Sequence, residues 1–223
     1  MTAESALGQE LDVLFENDDL LVCVKPRGIL SAKDTSGKRS MADLLAPREI
    51  FPVHRLDREV TGLMVFAKTK EAAGFLSAQM SEGFAKEYLA LCEGAPPQRG
   101  GLTDLLYHDR GKNKTYVVKR PRAGVKEARL TYQALAQLEG QTLLHVRLHT
   151  GRTHQIRVQL ASRGFPLLGD RKYGSKHSGE LQLYSYRLTF PLPRKGGSKS
   201  FVLPQGHLPE VIVAACKTAG FVL

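Results

Sequence analysis

A chain of 223 residues that is 42% hydrophobic and 24% charged is an ordinary globular composition, long enough for one large domain or two small ones and unlike a disordered polymer. No apolar run approaches the roughly 20 residues of a membrane span, and the N-terminal MTAESALGQELD lacks the basic and apolar regions of a signal peptide, so a cytoplasmic protein without a membrane partner is expected. The formal charge of +10 hides an asymmetry: the first 24 residues hold six acids and no Lys or Arg, leaving +16 for the rest, with eight basic residues against two acids over 108–129 and seven against one over 147–176. Clustering of that kind is the electrostatic footprint of a phosphate-backbone binder.

In chain order, an acidic segment over 1–10 precedes one domain over 11–223. The spacing predicts strands over 11–15 and 20–25, joined by the turn Glu16-Asn17-Asp18-Asp19. Pro26-Arg27-Gly28 breaks the second strand, because Pro offers no backbone donor and Gly tolerates positive φ; Lys25 and Arg27 read either as solvated turn cations or as contacts to substrate. Ser40 caps a short helix through Leu45 that ends at Pro47. The stretch 52–68, PVHRLDREVTGLMVFAK, then sets an acid, Asp57, between Arg55 and Arg58, turns at Thr61-Gly62 and enters an apolar run that reads as a buried strand. Flanking cations favour the charged form of an acid, which suits a nucleophile or base better than a general acid.

A helix is predicted over 70–82, with Ala72, Phe75, Leu76 and Gln79-Met80 on one face and Gly83 as the stop. An alternating strand over 86–92 follows, and Tyr88 within it would ordinarily be a packing residue. From Gly100 to Gly124 the chain reads as an irregular basic loop or hairpin. Strands over 128–138 and 142–149 are separated by the hairpin signal Glu139-Gly140-Gln141. A helix over 154–162, capped by Thr153 and stopped at Gly164, puts Arg152, His154 and Arg157 near a helix N-terminus, where Arg152 and His154 suit phosphate or ribose. A strand over 182–190, a Pro, Gly and Lys loop over 191–199 and an apolar helix over 209–219 complete the chain. This inventory predicts an α+β protein with a mixed, largely antiparallel sheet flanked by helices.

Several chemistries find no support. Cys23, Cys92 and Cys216 are far apart and sit in apolar surroundings, which reads as small buried hydrophobes in a reducing compartment. His145, His149 and His154 have no Cys or carboxylate at a metal-like spacing, and neither a GxxxxGK[ST] loop, a GxGxxG after a strand nor a GxSxG elbow occurs. No metal or organic cofactor is expected.

The run His54-Arg55-Leu56-Asp57, completed by Thr61-Gly62-Leu63 and Ala67-Lys68, resembles the signature of the RluA family of rRNA and tRNA pseudouridine synthases. Lys25-Pro26-Arg27-Gly28, Lys86-Glu87-Tyr88 and Gly151-Arg152-Thr153-His154-Gln155-Ile156-Arg157 extend the resemblance in the family's order. It implies the pseudouridine synthase fold, Asp57 as the catalytic residue, Tyr88 stacked on the target base and Arg157 paired with the catalytic Asp. It also implies RNA contacts from His54, Arg55, Arg152, His154, Lys25 and Arg27, a monomer as the working form, and a stem-loop of rRNA or tRNA as partner. Gly169-Asp170-Arg171-Lys172-Tyr173 matches a family loop, in which Asp170 is expected to close a turn. The chain departs from the family at Val60, where Thr is usual, at Gln159, where His is common, and near Tyr184, where a His is usual. No S4-type RNA-binding domain is expected ahead of the first strand, so target choice is expected to rest on the catalytic domain. The alternatives are a catalytically silent RNA-binding or ribosome-assembly module of the same fold, and a basic hydrolase using Asp57 as its general base.

Overall fold

The computed structural model describes residues 11–194 and 196–223; the acidic segment over 1–10 lies outside the described residues. Its strands are β1 (Val13–Glu16), β2 (Leu20–Lys25), β3 (Phe51–Pro52), β4 (Thr61–Ala67), β5 (Ala85–Glu93), β6 (Arg99–Asp109), β7 (Lys114–Val118), β8 (Val125–Leu138), β9 (Gln141–Leu148), β10 (Leu183–Pro191) and β11 (Ser198–Val202). The helices are α1 (Met41–Leu45), α2 (Lys70–Ala78), α3 (Gln155–Ala161) and α4 (Glu210–Thr218), with a 3-10 turn at Arg171–Tyr173. This is the expected mixed, mostly antiparallel β-structure with a few helices. It divides into two compact units: residues up to Ala85 with Ser185–Leu203, and Lys86–Tyr184 with Pro204–Leu223.

In the first unit the strands follow the order β1-β2-β4-β10, with β3 beside β4 and β11 beside β10. The turn after β1 forms because the Asn17 carboxamide oxygen accepts from the amides of Asp19 (3.0 Å) and Leu20 (2.7 Å), imitating a backbone turn. Leu20–Lys25 and Gly62–Ala67 are buried throughout, so both strands carry continuous apolar runs in place of alternation. Lys25 pairs with Gly62, and a Cβ at position 62 would lie 2.4 Å from the Ser185 carbonyl oxygen; only glycine permits that approach. Phe84, Phe190, Phe201 and Phe15 form a row with neighbouring centroids 5.6 Å apart. Ser40 caps α1 as expected, its amide and hydroxyl both donating to the Asp43 carboxylate at 2.9 and 2.8 Å.

Two expectations change here. Helix α2 ends at Ala78, before the predicted 82, because Gln79 to Gly83 close successive tight turns; Gly83 N–H donates to the Gln79 carbonyl at 2.7 Å. Ala72 and Leu76 are buried, whereas Phe75 is 38% exposed. The last two residues of the predicted loop over 191–199 begin β11, whose Phe201 lies opposite Leu188.

The second unit orders its strands β5-β9-β8-β6-β7. Gly140, at φ 67°, makes the predicted turn between β8 and β9. Tyr88–Cys92 is buried on both faces, so the expected alternation is absent. The section read as an irregular loop or hairpin is a hairpin of two regular strands, β6 and β7. Its Thr, Leu, Tyr and Val residues favour strands, and the breakers Gly111, Pro121 and Gly124 fall in the two connections. Helix α4 packs on β8 and buries Ile212, Ala215 and Cys216. All three cysteines are buried and free, and burial pushes the thiols of Cys23 and Cys92 up to about 12 and that of Cys216 to about 11.

Candidate active site

In the first unit, Asp57 belongs to a half-buried loop between β3 and β4 whose backbone is held on both sides. The Ser31 hydroxyl donates to the Leu56 carbonyl at 2.8 Å and accepts the Leu56 amide at 2.9 Å. Just beyond Asp57, the Arg58 carbonyl accepts from the Gly28 amide (2.9 Å) and from the Lys25 ammonium (3.0 Å), while Arg27 donates to the Glu59 carbonyl at 2.8 Å. The Val60 amide closes the turn onto the Asp57 carbonyl at 3.0 Å. His54 fixes the near end, its Nε2 accepting the β4 amide of Val65 at 3.1 Å. The segment 25–31 thus acts as a splint for the Asp57 loop.

Lys25 is not the solvated turn cation that one reading of the sequence allowed; it is fully buried, and its ammonium donates to the carbonyls of Pro26 (2.8 Å), Ile29 (2.8 Å) and Arg58. Burial pulls its amine down to about 7, against the opposing pull of the Asp57 and Glu59 carboxylates. The flanking arginines divide: Arg58 pairs with Glu59 at 2.7 Å, and Arg55 is exposed.

In the second unit, Tyr88 is buried on β5 opposite Val146. Lys86, two residues earlier, is half-buried, which draws its amine down to about 8. Arg157, on α3, is held by Asp170 through a bidentate pair in which Nε and one Nη donate at 2.7 and 2.8 Å; both side chains are almost wholly buried. Asp170 therefore does more than close a turn. Tyr173, in the same turn, carries the Arg157 guanidinium 5.1 Å from its ring centroid. Its hydroxyl accepts the Thr115 amide at 2.8 Å and bonds His154 Nδ1 at 2.9 Å.

The start of α3 also differs from expectation. His154, buried and left-handed at φ 55°, is the N-cap in place of Thr153, whose carbonyl is occupied by the Thr115 hydroxyl at 2.8 Å. The amide of Arg152 goes to the Gln155 side chain (3.0 Å) and its Nε to the Glu127 carbonyl (2.9 Å). Gln159, at the position where the family often has His, is fully buried and donates to Asp104 at 2.7 Å, and its carboxamide oxygen has no partner among the described residues.

Of the nine residues singled out from sequence, Lys25, Arg27, His54, Arg55 and Asp57 lie in the first unit, and Tyr88, Arg152, His154 and Arg157 in the second. Sequence reading missed Ser31, Lys86 and Tyr173. Ser31 and Tyr173 carry no pattern that marks their hydrogen bonds, although Lys86 and Tyr173 each sit inside a motif already in view. Among the described residues, no group of His, Cys, Asp and Glu is placed to hold a metal ion, and no helix is long and apolar enough to cross a membrane.

Residues 19–162 match the family model for RNA pseudouridylate synthase. The chain is 34% identical over 202 residues to ribosomal large subunit pseudouridine synthase D of Yersinia pestis, which covers 86% of this chain and 57% of that protein. An uncharacterized RNA pseudouridine synthase of Aquifex aeolicus is 36% identical over 214 residues, covering 83% and 66%. This chain therefore spans between about half and two thirds of the length of such relatives. Among solved structures, human RNA Pseudouridylate Synthase Domain Containing 4 aligns with a TM-score of 0.73 at 22% identity, over 95% of this chain and 94% of that one, a likeness of fold.

Proposed function

Because the chain belongs to the RNA pseudouridylate synthase family, as the match over residues 19–162 and its relatives establish, we propose that it isomerises uridine in structured RNA to pseudouridine, with Asp57 as the catalytic residue. The reaction breaks the C1'-N1 glycosidic bond, turns the uracil and rejoins it through C5; the C5 proton leaves to solvent, N1 gains one, and no other atoms are gained or lost. A paired uridine must first be extruded, at roughly a few kcal/mol for unstacking. As the resemblance implies, Tyr88 stacks on the extruded base, and Arg157, its guanidinium held by the Asp170 carboxylate, is a further site residue. Asp57 then serves either as a nucleophile or as the base that removes a ribose proton, two routes that share every residue named. An rRNA or tRNA stem-loop in the cytoplasm is the substrate class this reading favours, bound by a monomer.

The observation that supports the reading most directly is the splint around Asp57. Preorganising a carboxylate by fixing the backbone on either side of it is what positioned chemistry requires, and a silent RNA-binding module has no use for it.

The test is tritium release from RNA labelled at uracil C5, using pseudouridine-free tRNA and 23S rRNA transcripts. Wild-type protein is expected to release tritium from one of them, and Asp57→Ala to release none while binding RNA within a few fold of wild type. Equal turnover by Asp57→Ala would overturn the assignment.

A further inference from the structure

The strands β6, β7 and β8 carry a surface that the proposed chemistry does not use. In the strand order β8-β6-β7, β7 is the edge, and the connection over 119–124 must cross β6 to reach β8, since Val118 ends opposite Leu105 and Val125 begins opposite Tyr107. The crossing lays Arg122 over the Tyr107 ring, 4.6 Å from its centroid. Tyr107 is also the cross-strand partner of Tyr116, so the two rings share one face of the hairpin. The opposite face is the inner one, with Leu106 and Ala128 packed against Val158 of α3 and against Tyr173.

Around the outer tyrosines the cations gather. Arg110 and Lys112 flank the β6–β7 turn, Lys119, Arg120 and Arg122 line the crossing, and all five are exposed. Among the described residues none of these five forms an ion pair, although Asp109 and Glu127 lie nearby in sequence; Asp109 accepts the Lys112 amide, and Glu127 pairs with Arg129 at 3.3 Å. Lys114 sits between two rings, 5.8 Å from the centroid of Tyr116 and 5.4 Å from that of Tyr173. Tyr116 is itself 36% exposed.

We propose that this outer face of the β6–β7 hairpin, with the connection that crosses it to β8, is an RNA-docking surface, on which Lys112, Lys119, Arg120 and Arg122 take backbone phosphates and Tyr116 stacks an unpaired base. Cations interleaved with exposed aromatic rings on a regular strand framework meet both demands of single-stranded RNA, charge along the backbone and a π-face for bases. The cation–π pairs hold Arg122 and Lys114 in place, so less side-chain freedom is lost on binding. The inference rests on the reading of the chain as an RNA enzyme and adds a place where the RNA is held.

The experiment measures binding apart from turnover: fluorescence anisotropy of a labelled 23S rRNA stem-loop transcript against the whole chain at several salt concentrations, with tritium release followed in parallel. The triple variant Lys119→Gln, Arg120→Gln, Arg122→Gln is expected to lower the slope of log affinity against log salt by about 2, since each phosphate contact contributes about 0.7 to 0.9, and to weaken binding at least about tenfold. Tyr116→Leu is expected to weaken binding about fivefold with the slope unchanged. Lys217→Gln on α4 serves as the control and leaves both quantities unchanged. All are exposed positions, and melting curves matching wild type confirm the fold. A wild-type slope in the triple variant overturns the surface while leaving the enzyme reading intact. Loss of slope in the variant with no tritium release by wild type supports the surface and counts against the reading. Wild type that binds no RNA overturns both, and poly-glutamate binding more tightly than RNA with the same dependence on the three cations overturns the surface in favour of an acidic protein partner.

Discussion

A single buried amine shows how far a side chain's surroundings can depart from its type. In the unfolded chain Lys25 keeps its proton up to about the ordinary lysine value of 10.5; in the fold, burial brings that to about 7. Between those two values the unfolded chain binds more protons than the folded one, so Lys25 makes stability rise with pH across that window, its penalty being fully present below 7. The urea midpoint of the wild type is therefore expected to climb between pH 7 and pH 9, and Lys25→Met to show a shallower climb. Lys86, drawn down to about 8, contributes with the same sign and leaves the variant a residual slope. Identical slopes in the two proteins would remove Lys25 from this account. From sequence, Lys25 was visible as a basic residue beside a Pro-Arg-Gly turn, but its burial was not: the turn folds back to bring three carbonyls around the ammonium, a closure that no local pattern encodes. The loop that carries Asp57 stood out in sequence as a compact motif, and the splint did not, because Ser31 and Leu56 are distant in sequence.

Among the elements, α3 and the turn that follows it work as a pair. Seven residues make a marginal helix by themselves, and the Arg157–Asp170 fork ties it to the 3-10 turn. Asp170→Asn removes one charge of a buried pair and is expected to cost about 3 kcal/mol in urea unfolding. It should also slow tritium release about tenfold without weakening RNA binding, because Arg157 loses the partner that sets its orientation. A variant as stable and as fast as wild type would contradict both parts. The helix itself was legible from its apolar pattern, but its cap was not. Thr153 is the better cap by type, yet the Thr115 hydroxyl takes its carbonyl, and Gln155 bonds Arg152, Thr150 and the Arg129 carbonyl, so tertiary partners set how α3 begins. For the section over 100–124 the hairpin alternative holds, but the regularity of its strands was masked by charge and by breakers such as Pro121 and Gly124.

For the whole molecule, each unit is assembled from two separated stretches of chain. Removing residues 204–223 would strip α4 from β8 and expose the positions that Ile212, Ala215 and Cys216 cover. The expected outcome is faster amide hydrogen exchange in β8 and β9 with little change in β2 and β4, and uniform protection in both sets would refute it. Fold class was legible at this scale because alternation and hairpin turns are local signals, whereas the division of the chain, crossing at Ala85, Tyr184 and Leu203, depends on which distant strands meet. That division fixes an order of events on the ribosome. Strand β4 is made early but waits for β10, more than a hundred residues later in the chain, before the part of its edge that β3 leaves open is covered. Until then the nascent first unit carries an apolar, unpaired strand edge, a surface that invites association with other chains. For a protein of this design, slow translation between β4 and β10 prolongs exposure, and holding chaperones are most needed in that interval.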